Sequence, residues 1–347
     1  MAAEAYAHAA VITHRLPLAI IGLGRMGRFH AAALAAVDEV EVMALVEPFA
    51  DALAEAGRLH PEAARYANVA EGLAHPGLRA VLIAASTPTH PALVEAALDA
   101  GLHVLCEKPL ALDDADADRL AVLASQRELV LQVGFWRRFA PPWRAAKDRI
   151  AAGEIGRPLM VRLAQWDADP PPPTFCDPAV SGGLAVDCGV HEYDLAEWLT
   201  GRPITRVAAW ALPIVDPAVG AAGDVDNLVA VLELEGGAVA TVDLSRNARY
   251  GDDVRTEVLG SNGALLIELL PVSRTRLGTP SGMHELADSV VDDAMAAGVA
   301  EQARAFAAAV RGDVVDVPRA EASQRATRVG RAVMEAATTG TPVVIES

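Results

Sequence analysis

Three side chains of this 347-residue sequence have the types and positions for proton transfer at a hydroxyl group. Asp187 and His191 lie four residues apart in the stretch Ser181 to Asp194, which runs into Leu195, Trp198 and Leu199 at helical spacing. On one helix the two share a face, so the carboxylate is expected to fix the imidazole's tautomer and raise its pKa, suiting His191 to accept a proton near neutral pH. Taken alone, such a pair is more often a local contact on a helix surface. Lys108, in Glu107-Lys108-Pro109, follows the apolar run His103 to Cys106, which puts it at a strand's carboxyl end, where open α/β sheets hold ligands. Pro109 restricts the backbone before it and gives the lysine a defined place.

The turn Gly22-Leu23-Gly24-Arg25-Met26-Gly27 supplies what such chemistry needs beside it. It follows the apolar strand Leu18 to Ile21 and opens a helical pattern from Met26 to Val37, the strand, turn and helix order of a dinucleotide site. Gly22 allows the tight turn, Gly24 lets the backbone approach a pyrophosphate, and Gly27 lets helix pack closely on strand. The helix start adds free N–H groups and partial positive charge. Glu47 ends the second apolar strand, where its carboxylate can accept hydrogen bonds from ribose hydroxyls. Neither Pro48 nor Phe49 offers a cation to a 2′-phosphate, so NAD is expected over NADP.

The elements that must position these residues are legible as two domains. From residue 16 to 139, apolar runs at Leu16 to Ile21, Val40 to Val46, Ala80 to Ala84, His103 to Cys106 and Leu129 to Val133 alternate with helical patterns. That predicts a parallel, doubly covered Rossmann sheet. From 140 to 347 a helix near Pro142 to Ala152 precedes strands at Leu159 to Trp166, Thr205 to Leu212, Leu228 to Leu234, Ala238 to Leu244, Glu257 to Leu259 and Ala264 to Glu268, mostly in hairpin order. This is an α/β domain with a large, mostly antiparallel open sheet. Helices near Val299 to Val310 and Ala320 to Thr338, free to pack back on the first domain, and a strand at Pro342 to Ile345 complete it, and Pro170 to Pro173 reads as a stiff spacer. Residues 1 to 15 read as a tail.

A formal charge of −17 disfavours nucleic-acid and anionic-membrane partners, and no apolar run reaches the length of a bilayer span. Cys106, Cys176 and Cys188 match neither a disulfide framework nor a metal-site spacing, so the expected location is the reducing cytoplasm, with no metal.

Together, the glycine turn, Glu107-Lys108-Pro109, Gly134 to Phe139 and the Asp187 to His191 segment resemble the Gfo/Idh/MocA oxidoreductase family over about residues 16 to 345. Gly153 to Met160 and Arg249 to Asp253 resemble its inositol 2-dehydrogenase branch. The resemblance implies Lys108, Asp187 and His191 as the catalytic set. It implies Ser86, Thr87, Pro88 and His90 as a cofactor loop and Arg138 as a substrate contact, and it places Glu107 and Lys108 beside the cofactor. It further implies a homo-oligomer, dimer or tetramer, formed through the open sheet. Trp136 and Trp166 have the flat apolar faces to meet a polyol ring, or simply pack. The expected reaction is oxidation of a cyclic polyol or sugar at a secondary hydroxyl, with myo- or scyllo-inositol first among substrates and His191 as base.

The sequence departs from the inositol branch on the substrate side. Asp252 replaces a usual tyrosine, Gln165 stands where a pocket histidine is usual, and Ala287 to Asp293 lacks that branch's aromatic pattern. Another sugar or anhydrosugar, a sugar acid drawn to Lys108, Arg137 and Arg138, and an NAD-dependent glycoside-cleaving enzyme are the competing activities. A cofactor-binding sensor without catalysis would be expected to lack the lysine or the histidine, and both are present.

Overall fold

The computed structural model describes residues 15–168, 170–270, 272–286 and 293–346. The expected tail, apart from Arg15, and most of the Ala287 to Asp293 stretch fall outside the described residues.

Residues 16–133 form β1 (Leu16–Ile21), α1 (Arg25–Leu34), β2 (Val40–Val46), α2 (Ala50–Leu59), β3 (Ala64–Tyr66), α3 (Val69–Leu73), β4 (Ala80–Ile83), α4 (His90–Asp99), β5 (His103–Cys106), α5 (Asp114–Gln126) and β6 (Leu131–Val133). All the strand pairs are parallel, in the order β3-β2-β1-β4-β5-β6. Every residue of β4 is buried, as a strand with helices on both faces requires. Strand order reverses between β1 and β4, so the glycine turn after β1, the Ser86 turn after β4 and Lys108 after β5 all emerge at the carboxyl edge of this switch.

The chain continues through α6 (Pro141–Ala151), β7 (Pro158–Trp166), α7 (Pro178–Ser181), α8 (Gly183–Asp187), α9 (Gly189–Thr200), β8 (Ile204–Leu212), α10 (Pro217–Ala221), β9 (Asn227–Leu234), β10 (Val239–Ser245), β11 (Asp253–Gly260), β12 (Ala264–Leu270), β13 (Val272–Thr279), β14 (Gly282–Glu285), α11 (Ala294–Arg311), α12 (Ala320–Thr339) and β15 (Val343–Val344). Its strands form a nine-stranded sheet in which only β7 and β10 run parallel. Alternate residues of β7, β9 and β10 are buried toward the helices, and the opposite face is open. The two C-terminal helices return to the first domain: α11 packs along α1, and α12 lies against α5, α9 and β8. One apolar cluster runs through both domains from Val81 to Leu163 and Leu232, while a second, containing Phe306 of α11, fills the other face of the Rossmann sheet.

The structure departs from the sequence reading in three places. The three-residue β3, with Arg65 at its centre, is too short to carry a pattern. No strand is named in the sequence over β13, where Ser273, Arg274, Thr275 and Arg276 leave no apolar alternation to read, yet it is paired along its length with β12. Asp187 and His191 do not share one helix, since α8 ends at Asp187 and α9 begins at Gly189, with Cys188 between them.

Candidate active site

The cofactor end is built by steric necessity. Gly22 has φ of +86°, and a Cβ there would lie 2.7 Å from the Ala85 backbone. A Cβ on Gly27 would lie 1.9 Å from the Gly22 carbonyl oxygen, whereas one on Gly24 would meet nothing within 4 Å. The turn is therefore packed on its inner side and open at Gly24, where α1 begins without a side-chain cap and leaves its N–H groups available. Arg25 and Met26 form the first turn of that helix. Beside it lies a cavity of about 340 Å³ lined by Leu23, Gly24, Glu47, Phe49, Asp51 and Glu55 among others. Glu47 also clamps the turn: its carboxylate accepts the Leu23 N–H at 2.7 Å and the Phe49 N–H at 3.2 Å. An open backbone cradle, an uncapped helix start and an acidic flank fit a dinucleotide. Gly27→Ala should cost about 1–3 kcal/mol of stability through overpacking and weaken NAD binding at least about tenfold. Thermal melts and a fluorescence titration check this, and an unchanged NAD affinity would remove the pyrophosphate from this turn.

Lys108 reaches across to the second domain. Its Nζ donates to the Asp187 carbonyl oxygen at 2.6 Å and to Asp187 Oδ1 at 3.1 Å. Burial pulls the ammonium's pKa down, but the charges of Asp187 and Glu107 outweigh it and hold the group above its ordinary range. Lys108 thus stays charged at neutral pH.

His191 lies beside them but not on Asp187. Its ring is 6% exposed, Nδ1 is buried without a partner, and the ring is held edge-on by Phe135 and Trp136 at 5.9 and 6.2 Å. Burial first, and then the cations Arg137 and Lys108, push its pKa well below the ordinary value. The expected raising by Asp187 is thereby corrected: that carboxylate is spent on the lysine, and two cations face the imidazole. Arg137 itself is buried between Glu192, which it contacts closely, and Gln165 Oε1 at 2.8 Å.

Gln165 bridges Arg137, whose Nη2 donates to its Oε1 at 2.8 Å, and Asp167 Oδ1, to which its Nε2 donates at 3.0 Å. Ser86, Thr87 and Pro88 form the turn after β4, with Ala85 just before it against Gly22. His90 has both ring nitrogens on backbone carbonyls, Pro109 at 2.8 Å and Ala85 at 3.1 Å, and at 1% exposure it ties the Ser86 turn to the Lys108 turn. Glu107 is likewise turned inward, onto His30 Nε2 at 2.6 Å and the Lys108 N–H. Arg138 is a fork on Asp194 of α9, with Nε at 2.8 Å from Oδ2, and faces Trp198. Trp166 alternates onto the open face of the sheet, where Arg255 covers its ring at 5.8 Å, while Trp136 is 7% exposed and packs on Trp143. Asp252, just before β11, accepts the Ala168 N–H at 2.7 Å and so ties its loop to the segment that follows β7.

Residues 16–135 match the family described as an oxidoreductase family with an NAD-binding Rossmann fold, and residues 143–266 match the GFO/IDH/MocA C-terminal domain. A myo-inositol 2-dehydrogenase of Thermotoga maritima is 37% identical over 251 residues, covering 72% of this chain and 75% of its own. The chain belongs to the GFO/IDH/MocA oxidoreductase family. A scyllo-inositol 2-dehydrogenase (NAD(+)) of Bacillus subtilis is 34% identical over 74% of this chain and 75% of its own. The crystal structure of a scyllo-inositol dehydrogenase from Lactobacillus casei with bound NAD(H) and scyllo-inositol superposes with a TM-score of 0.82 at 27% identity, covering 96% of this chain and 100% of that one. NAD is the cofactor of this GFO/IDH/MocA protein.

Sequence reasoning missed Asp167, Asp224 and Arg246, which lie around Lys108, Asp187 and Cys188. Asp167 Oδ2 lies 3.2 Å from Cys188 Sγ, and Arg246 lies 3.8 Å from Asp187. No spacing joins residues so far apart in the chain, and only the return of β7 and β10 to one edge brings them together.

Proposed function

We propose that this protein is an NAD-dependent dehydrogenase that oxidises a secondary hydroxyl of a cyclic polyol, with myo- or scyllo-inositol as its substrate. The observation that carries this reading is the charged Lys108 held on Asp187 beside the buried His191, at the strand edge that also carries the glycine turn. NAD, held by the glycine turn at Gly22, Gly24 and Gly27, would supply the hydride acceptor for the carbon bearing the hydroxyl. His191, neutral at working pH, takes the hydroxyl proton. Lys108 steadies the developing alkoxide, and Asp187 holds Lys108.

The cations near the site favour a neutral substrate over a sugar acid. Lys108 is paired with Asp187, Arg137 with Glu192 and Arg138 with Asp194, so none is left unpaired for a carboxylate. The names of the relatives point to inositols specifically. Glu47 lines the cavity beside the turn, where its carboxylate, besides taking the Leu23 and Phe49 N–H groups, has lone pairs left for ribose hydroxyls, and Asp51 and Glu55 add negative charge there against a 2′-phosphate. On the open sheet face Trp210 is 67% and Leu212 60% exposed, and Val229 pairs opposite Trp210, an apolar surface suited to a second subunit. The protein works in the cytoplasm as such an oligomer. No described helix is long and apolar enough to cross a membrane.

The deciding experiment measures NADH formation by purified protein with NAD across inositols, aldoses, anhydrosugars and sugar acids. Inositols should give the highest kcat/KM, and NADP should support much slower rates than NAD. Turnover restricted to sugar acids, or a reaction that needs no added NAD and accumulates no NADH, would sink the proposal.

A further inference from the structure

We infer that Arg246 is a positioning residue for this reaction: from the second domain it holds the Asp187 carboxylate against Lys108 and shares its charge. The inference rests on the reading of Lys108 and Asp187 given above.

Arg246 directly follows β10 and is 1% exposed. Its Nη1 donates to Asp224 Oδ2 at 2.8 Å and lies 2.9 Å from Cys176 Sγ. Its Nη2 lies 3.8 Å from Asp187 Oδ2, and neither Nη2 nor Nε has a hydrogen-bond partner. A buried guanidinium with two unbonded nitrogens is costly unless negative charge lies close, and the carboxylate of Asp187 is that charge.

Asp224 fixes the other end of the same device. Its two oxygens accept the Leu184 N–H at 2.9 and 3.1 Å, at the start of α8. A Cβ on Gly183 would lie 2.6 Å from Asp224 Oδ1, so the close approach requires glycine there. Helix α8 is thus held at its first turn by Asp224 and at its last residue, Asp187, by Arg246. The charges alternate along the row Asp224, Arg246, Asp187, Lys108, which begins in the second domain and ends on the Rossmann strand edge.

If Asp224 were the sole purpose of Arg246, one end of the fork would suffice. Nη2 instead lies beside Asp187 Oδ2 while Lys108 holds Oδ1, so the two cations share the one carboxylate. The other groups facing Lys108 are its neighbour Glu107 in the turn after β5, His90 from α4, Cys188 and His191 from the α8–α9 region, and Asp167 from the end of β7 through Cys188. Among these and Arg246, only Arg246 is a cation that contacts Asp187. Without its charge Asp187 acts on Lys108 alone, and the ammonium form is held to higher pH.

The test uses the full chain with Arg246→Lys and with the double change Asp224→Asn/Arg246→Gln, which strands no buried charge. The rate of Lys108 acetylation by methyl acetyl phosphate, followed against pH by peptide mass spectrometry, reads the lysine without requiring turnover. In the double variant its midpoint should rise by about half a pH unit or more, with NAD affinity within about twofold and kcat down about tenfold. An unchanged midpoint and kcat would overturn the inference. A shifted midpoint in a protein that oxidises no polyol, wild type included, would leave the hold on Lys108 standing and defeat the assigned reaction instead. Should the double variant not fold, Arg246→Lys decides: its one ammonium cannot span Asp224 and Asp187, so kcat should fall at least about fivefold, and wild-type kcat would overturn the proposal.

Discussion

Replacing Lys108 with alanine should lower kcat by about 10²–10³-fold, the usual cost of removing one donor aimed at a developing oxyanion, while the Kd for NAD stays within about threefold. The split follows from where the ammonium points. Both of its hydrogen bonds go to Asp187, across the cleft from its own domain, and none goes to the glycine turn or to Glu47. In the proposed role its loss removes a charge from the reacting oxygen, while the glycine turn keeps its contacts. Asp187 would remain facing Arg246 at 3.8 Å, so no carboxylate is left bare and the fold should persist. Steady-state kinetics on the preferred polyol and a fluorescence titration with NAD check both halves. Equal losses in kcat and in NAD affinity would place Lys108 on the cofactor and not on the alcohol.

How far the sequence carries toward this site depends on whether the signal is local. The glycine turn, Glu47 and Lys108 are each defined by neighbours within one βα unit, and the structure brings all three to the carboxyl edge of the parallel sheet. The pairing of Asp187 was not local. Helical spacing alone offered it His191, four residues on, but Gly189 begins a separate helix and Lys108, 79 residues away in sequence, takes the carboxylate. The arginines show the same limit. Arg137 and Arg138 are adjacent in the chain, yet one turns to Glu192 and Gln165 and the other to Asp194, a choice made by α9 and β7. Trp166 and Gln165, also adjacent, fall on opposite faces of β7 because strand side chains alternate. That alternation was readable, but which face would meet the site was not.

The pairing of every nearby cation also bears on how the base works. With Asp187 on Lys108, nothing stabilises a charged His191: burial disfavours the imidazolium, Arg137 and Lys108 repel it, and Nδ1 has no acceptor. A group whose pKa is depressed in this way stays neutral, and so competent as a base, to lower pH than a free histidine does. The acid limb of kcat/KM should accordingly fall below the ordinary histidine value of about 6.5, whereas a histidine supported by a carboxylate would place it above. His191→Asn, which keeps a polar group of similar reach but cannot accept the proton, should lower kcat/KM by about 10²–10⁴-fold. What activity remains should rise with pH without the wild-type inflection, since hydroxide then does what the imidazole did. A wild-type limb above that value, or an Asn variant that keeps the wild-type inflection, would take the proton away from His191 and require another group to receive it.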